Sequence, residues 1–274
     1  MSKTILITGT SSGIGKATAK YFANKGWNVA ATMRTIKKGK DLENIPNIKI
    51  FQLDVINEDS IKQAVIDVVN EFGVVDVVLN NAGYGLMGPF EALSKDQIQR
   101  EFQTNLFGVM NITREILPHF KKNKNGLFIN LTSVGGLVTL PYLSLYHSTK
   151  FALEGFSESI AFELEQFGIR VKIIEPGAVK TNFGSAMELA KNDTMTDYDS
   201  EIKNMQENIK SFMSSENAST PEMIAETIFS AAIDESGRLR YLSGKDAEQI
   251  YSVKREKGDA AVMKMMKQTL LGKE

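Results

Sequence analysis

The chain has no cysteine, which excludes disulfides, thiolate metal sites and a cysteine nucleophile together. Histidine is almost as scarce. Only His119 and His147 occur, neither paired in the sequence with a carboxylate or a second histidine, so no metal constellation is expected. An excess of charge is also missing. The 32 Lys and Arg against 33 Asp and Glu leave a formal net charge of -1, which argues against a nucleic-acid binder. No apolar run approaches the roughly 20 residues of a spanning helix. Met1-Ser2-Lys3 runs straight into an apolar strand, without the longer run and small-residue cleavage site of a secretory signal. The expectation is a cytoplasmic protein, starting at or near Met1, with no membrane span.

What is present suits one α/β unit. The 274 residues are 42% hydrophobic and 24% charged, as in an ordinary globular protein with a sizeable core. Short β-branched runs at Thr4–Thr8, Asn28–Met33, Ile48–Leu53, Val74–Leu79, Leu127–Leu131, Arg170–Ile174 and Leu239–Leu242 read as strands. Between them lie helix-like stretches at Gly13–Lys25, Asn57–Phe72, Ser94–His119, Ser144–Phe167 and Pro221–Asp234. This alternation predicts a parallel sheet with helices on both faces, a doubly wound Rossmann-type α/β fold. Residues 182–218 are polar, Met-bearing and without a clear strand, and read as a substrate-lid insertion. The predicted organisation is one dinucleotide-binding and catalytic domain over 1–244, with a helical C-terminal extension over 245–274 that is no independent domain.

Gly9-Thr10-Ser11-Ser12-Gly13-Ile14-Gly15 follows the first strand and opens the first helix. Glycines there let the backbone approach a pyrophosphate, and the helix N-terminus offers free N–H groups. The spacing is not G-x-G-x-x-G, and a turn with close helix–strand packing would also need glycines. The end of the second strand, where NAD binders carry an acidic residue for the ribose, reads Ala30-Ala31-Thr32-Met33-Arg34. With no carboxylate and an arginine whose planar fork suits a 2′-phosphate, the segment favours NADP over NAD. A solvated loop arginine beside Lys37, Lys38 and Lys40 is the plain alternative.

Tyr146 and Lys150, four apart on a predicted helix, share a face. A free tyrosine titrates near 10, and a neighbouring ammonium together with an oxidised nicotinamide would favour its phenolate and make it a usable acid or base. Alone, Tyr-x-x-x-Lys is a common surface pattern. Its weight comes from its place in the predicted sheet. Ser133 ends the fifth strand, where ligands bind in open α/β sheets, and its hydroxyl could donate to a carbonyl oxygen.

In order, Thr8-Gly9-x-x-x-Gly13-Ile14-Gly15, Asp54, Asn80-Asn81-Ala82-Gly83, Asn105, Ser133, Tyr146-x-x-x-Lys150 and Pro176-Gly177 resemble the short-chain dehydrogenase/reductase family, in its single-domain subclass. The match runs from Thr4 to about Thr181. Tyr146–Phe183 and Leu239–Leu242 look most like the hydroxysteroid and retinol dehydrogenase branch. The resemblance implies an oxidoreductase acting on CH–OH groups, with Tyr146 as general acid/base, Ser133 polarising the oxygen and Lys150 holding the nicotinamide ribose. It implies that Asn105 holds a water leading to Lys150. Asp54 and Val55 would meet the adenine, Asn81, Ala82 and Gly83 would pass the adenosine ribose, and Val179 and Thr181 would meet the carboxamide. The glycine-loop residues Gly9, Ser11, Ser12, Gly13, Ile14 and Gly15, with Arg34, would hold the phosphates. The expected partners are a fairly apolar carbonyl or alcohol and further copies of the chain, as homodimer or homotetramer. A catalytically silent NAD(P)-binding regulator or scaffold, and a sugar-nucleotide epimerase of the longer subclass, are the competing readings.

Overall fold

The computed structural model describes residues 2–184, 187–190 and 195–272. Parts of the expected lid (185, 186 and 191–194), the expected starting residue 1 and the end of the tail (273 and 274) lie outside the described residues. The elements in chain order are β1 (Thr4–Thr8), α1 (Gly13–Asn24), β2 (Asn28–Met33), β3 (Ile48–Gln52), α2 (Glu58–Phe72), β4 (Val77–Asn80), β5 (Leu86–Met87) and α3 (Lys95–Phe102). They continue with α4 (Gly108–Asn123), β6 (Gly126–Leu131), α5 (Ser144–Glu165), β7 (Ile169–Pro176), β8 (Glu188–Leu189), α6 (Asp199–Ser214), α7 (Pro221–Ile233), β9 (Arg240–Ser243) and α8 (Lys245–Leu271).

The central strands are apolar on both faces, as strands covered from both sides must be. Successive side chains point to opposite faces. Ile5, Ile7, Val29, Ala31, Val77, Leu79, Leu127 and Ile129 join one core, which includes Phe22 of α1 and Ile224 and Ile228 of α7. Leu6, Ala30, Val78 and Phe128 face the other, against Ile61, Val65 and Val68 of α2 and Ile112 and Ile116 of α4. The result is a seven-stranded sheet in the order β3-β2-β1-β4-β6-β7-β9, with every pairing parallel. The doubly wound α/β expectation is met. The order reverses between β1 and β4, and ligands in such sheets bind outside the strand C-termini at that crevice.

Three local expectations are corrected. Residues 182–218 do contain a strand: Glu188–Leu189 pairs in parallel with Leu86–Met87. A two-residue strand carries no periodicity, and only its distant partner defines it. The helical stretch 94–119 is not one regular helix. It divides into α3, a π-turn over Gln103–Phe107, and α4. His119 is not at a helix end, because α4 carries Pro118 internally and runs on to Asn123. Its Nε2 accepts from the Val75 N–H at 3.1 Å, tying α4 to the segment that leads into β4.

A third core lies beside the sheet. Met205 and Ile209 of α6 pack with Ala247, Ile250, Val262, Met266 and Leu270 of α8 and with Val134, Val138 and Leu143. Helix α8 is kinked at Gly258, where φ is 79° and ψ 178°. Its two halves therefore both reach this core, at the C-terminal side of the sheet.

Candidate active site

A cleft of about 790 Å³ opens along the C-terminal ends of β1, β2, β4, β6 and β7. Its floor at β1 is the glycine loop. Gly9 N–H and Thr10 N–H both donate to the Thr32 carbonyl at 3.0 Å, which turns the chain sharply at the strand end. Gly15 is buried, and a Cβ there would collide with the Gly9 carbonyl and the Asn81 amide. It serves close helix–loop packing and does not line the cleft, unlike Gly9, Ser11, Ser12, Gly13 and Ile14. Helices α2, α3 and α7 are capped by the side chains of Asn57, Ser94 and Thr220. At α1, among the described residues, no side chain caps the N-terminus and no acidic residue lies in the first turn. Its amides and dipole are thus available to an anion in the cleft, so the loop fits a dinucleotide diphosphate.

Arg34 stands exposed at the end of β2 on the cleft wall, with Thr35 and Lys38. Asp54, Val55, Ala82 and Gly83 line the same end. Asp54 does not cap α2. Its Oδ1 accepts from the Ile56 N–H at 3.2 Å, and the cap is Asn57. Asn81 also lines the cleft, but its side chain points into the scaffold. Nδ2 donates to the carbonyls of Thr8 (2.8 Å) and Gly9 (3.1 Å). Thr8 Oγ1 in turn accepts from the N–H groups of Asn81 and Ala82, both at 3.0 Å. Asn81 therefore clamps β4 to the glycine loop.

At the centre of the cleft Ser133, Tyr146 and Lys150 come together. Ser133 is presented by a short turn after β6: the Gly135 N–H donates to its Oγ at 3.0 Å. His147 braces that turn, with Nδ1 donating to the Gly135 carbonyl at 2.7 Å and Nε2 accepting from the Leu140 N–H at 2.8 Å. This neutral tautomer agrees with a pKa held low by burial. Tyr146 and Lys150 lie one turn apart on α5, with Lys150 Nζ 5.7 Å from the Tyr146 ring centroid. Nζ donates to the Leu131 carbonyl at 2.9 Å.

Burial dominates both titrations. It pushes the Tyr146 phenol up to about 12, against the downward pull of its hydrogen bond with Ser133. It pushes the Lys150 ammonium down to about 8, against the attraction of Glu154 and Glu101. Lys150 alone thus does not outweigh the desolvation of the phenol, and the expectation of a favoured phenolate rests on the oxidised nicotinamide as well as the ammonium.

Asn105 lies behind the trio, buried, in the π-turn. Its Oδ1 accepts from the Tyr84 N–H at 3.1 Å, and its Nδ2 donates to the Tyr84 carbonyl at 2.8 Å and to Thr149 Oγ1 at 3.3 Å. The side chain is committed to the protein, and Asn105 does not line the cleft. Val179 and Thr181 line it from the loop after β7, and a Cβ on Gly13 would meet Thr181 at 3.6 Å.

Sequence reasoning missed Glu101 and Asp246. Glu101 is fully buried beside the site. Oε1 accepts from the Leu86 N–H at 3.1 Å, and burial pushes its carboxyl up to about 8. The spacing of Glu101 and Asn105, one turn apart, was the available signal. Phe183 lies with its ring centroid 5.8 Å from that of Tyr146. Among the described residues, no group of three or more His, Asp or Glu could hold a metal ion. Nor is any described helix long and apolar enough to cross a membrane.

Comparison with known proteins agrees with this fold. The family model described as short chain dehydrogenase matches residues 3–192. An uncharacterised oxidoreductase of Schizosaccharomyces pombe is 38% identical over 231 residues, covering 84% of this chain and 96% of that protein. Human retinol dehydrogenase 8 is 40% identical over 190 residues, covering 66% of this chain and 60% of its own length. Among solved structures, ElxO with NADP bound superimposes with a TM-score of 0.73 at 28% identity, covering 88% of this chain and 98% of that one.

Proposed function

The chain belongs to the short-chain dehydrogenase family, and on that premise we propose that it is an NADP(H)-dependent oxidoreductase interconverting a carbonyl and an alcohol at Tyr146. The observation that carries this reading is the convergence of Ser133, Tyr146 and Lys150 on one wall of a cleft whose floor is the glycine loop.

The cofactor supplies or accepts the hydride when bound. The free amides at the start of α1 would hold its diphosphate, Arg34 the 2′-phosphate, Asp54 and Val55 the adenine, and Val179 and Thr181 the carboxamide. Ser133 Oγ donates to the substrate carbonyl oxygen and fixes it beside Tyr146. Tyr146 Oη gives its proton to that oxygen in reduction and removes it in oxidation. Lys150 would hold the nicotinamide ribose hydroxyls, and its ammonium would favour the phenolate. The phenol stands near 12, so the positive charges around it must bring it down in the working complex. Asn105 positions the Tyr84 segment and Thr149 beneath this machinery.

The substrate is a fairly apolar carbonyl or alcohol. Supporting this, Leu140, Leu143, Phe183, Ile209, Phe212 and Met213 line the cleft beyond Tyr146. The segment 182–218 acts as its lid. Exposed Phe151 and Phe162 on α5 suit a homodimer or homotetramer, and the enzyme works in the cytoplasm. The test is a panel of ketones, aldehydes and secondary alcohols, followed at the nicotinamide absorbance with NADPH, NADH and their oxidised forms. Turnover of apolar carbonyls with NADPH is expected. No turnover of any member with either cofactor would contradict the reading.

A further inference from the structure

The loop that follows β7 is sewn into place from one side by backbone. Gly177 N–H donates to the Ser243 carbonyl at 3.1 Å, Ser219 N–H to the Ala178 carbonyl at 2.9 Å, and Lys180 N–H to the Ser219 carbonyl at 2.8 Å. The Ala178 amide donates at 2.6 Å to a side chain, Oδ2 of Asp246. Asp246 is buried, stands in the first turn of α8 and lines the cleft. Gly177 has no side chain to spare there: a Cβ on it would sit on the Asp246 carboxylate. The glycine after Pro176 therefore makes room for an acid from a helix about seventy residues further along the chain. Asp246 Oδ1 is buried with no hydrogen-bond partner among the described residues, and it is Oδ2 that holds the Ala178 amide.

We infer that Asp246 is a positioning residue for the nicotinamide end of the site: it pins Ala178 so that Val179 and Thr181 face the cleft, and so couples α8 to cofactor binding. The inference rests on the reading of that loop as the nicotinamide-binding one. It adds a role that the tail did not have. The same helix carries Ile250, Met266 and Leu270 into the cleft wall, so the C-terminal segment meets both the cofactor loop and the substrate chamber. Removing a charge-assisted hydrogen bond to a buried amide leaves that amide unpaired and lets the loop relax.

The experiment is calorimetric titration of the full chain with two probes. NADPH spans the whole site, and 2′,5′-ADP reaches only the adenine end. Asp246→Ala is expected to weaken NADPH by about tenfold or more and to leave 2′,5′-ADP unchanged. Asp246→Asn keeps an oxygen for the Ala178 N–H and is expected to restore NADPH binding. Under steady state, Asp246→Ala should raise the KM for NADPH more than it lowers kcat. Gly177→Ala, which displaces the carboxylate from the other side, should reproduce the NADPH-selective loss and stands in if Asp246→Ala does not fold. Equal NADPH binding by wild type and Asp246→Ala would overturn the inference, as would equal losses for both probes or failure of Asp246→Asn to restore binding. Wild-type chain that binds neither NADPH nor NADH would instead overturn the functional reading beneath it.

Discussion

Lys150 Nζ donates to the carbonyl of Leu131, two residues before Ser133, so the end of β6 holds both the ammonium and the hydroxyl of the site. The ammonium is buried and its pKa falls to about 8 from 10.5. Between those values the unfolded chain carries the extra proton, so this group adds stability as pH rises from about 8 to 10.5 and withholds it below. Lys150→Met should therefore melt higher than wild type at pH 7, with the gap narrowing toward pH 10, while turnover drops by about a hundredfold. Thermal melts across pH check the first part and initial rates the second.

Glu101 has the opposite sign. Burial raises its carboxyl to about 8 from 4.5, opposed by the Leu86 N–H and Lys150 and aided by Glu188. The native chain holds the proton where the unfolded chain has lost it. Stability from this group is complete below about 4.5 and is lost as pH rises through 8. Glu101→Gln is neutral throughout. Its Tm advantage over wild type should grow between pH 5 and pH 8 and level off above that, and a constant difference across pH 5–8 would contradict the burial argument.

Arg34 governs cofactor choice in this account. Arg34→Asp replaces attraction for a 2′-phosphate with repulsion. NADPH binding should weaken by about a hundredfold, the scale of a lost charge-assisted hydrogen bond plus repulsion. NADH binding should change little. Fluorescence titration with both cofactors measures it.

Arg240 of β9 is the hub of a polar cluster joining Glu154 and Glu158 of α5 to Glu175 of β7. Glu154 and Glu175 are buried, so removing the cation strands two carboxyls. Arg240→Met should cost about 3–5 kcal/mol at pH 8. Glu175 already stands at about 7, so it can neutralise at lower pH. The penalty should shrink by pH 6 in denaturant titrations.

The fold and most of the cleft were legible because their signals are local. Thr4–Thr8 and Asn28–Met33 were readable as buried strands with their observed bounds, and the alternation of strand and helix implied the parallel order. The glycine loop, Ser133 and Tyr146 to Lys150 stand where motif spacing put them. What stayed hidden depends on distant partners. Glu188–Leu189 becomes a strand only through Leu86–Met87. Asp246 reads as an ordinary acid in the first turn of a helix until the Ala178 amide is found above it. The phenol's pKa escaped for the same reason, since desolvation is a property of the packed site.

The most direct test of the central claim compares Tyr146→Phe with wild type in two measurements, NADPH affinity and single-turnover reduction of a ketone that the wild type accepts. The phenol is the proton donor in this account and contributes little to holding the dinucleotide. Affinity should stay within about threefold while the rate falls by about 10²–10⁴-fold, the scale of general acid catalysis. A Tyr146→Phe enzyme that turns over at near-normal rate with NADPH bound would contradict the account.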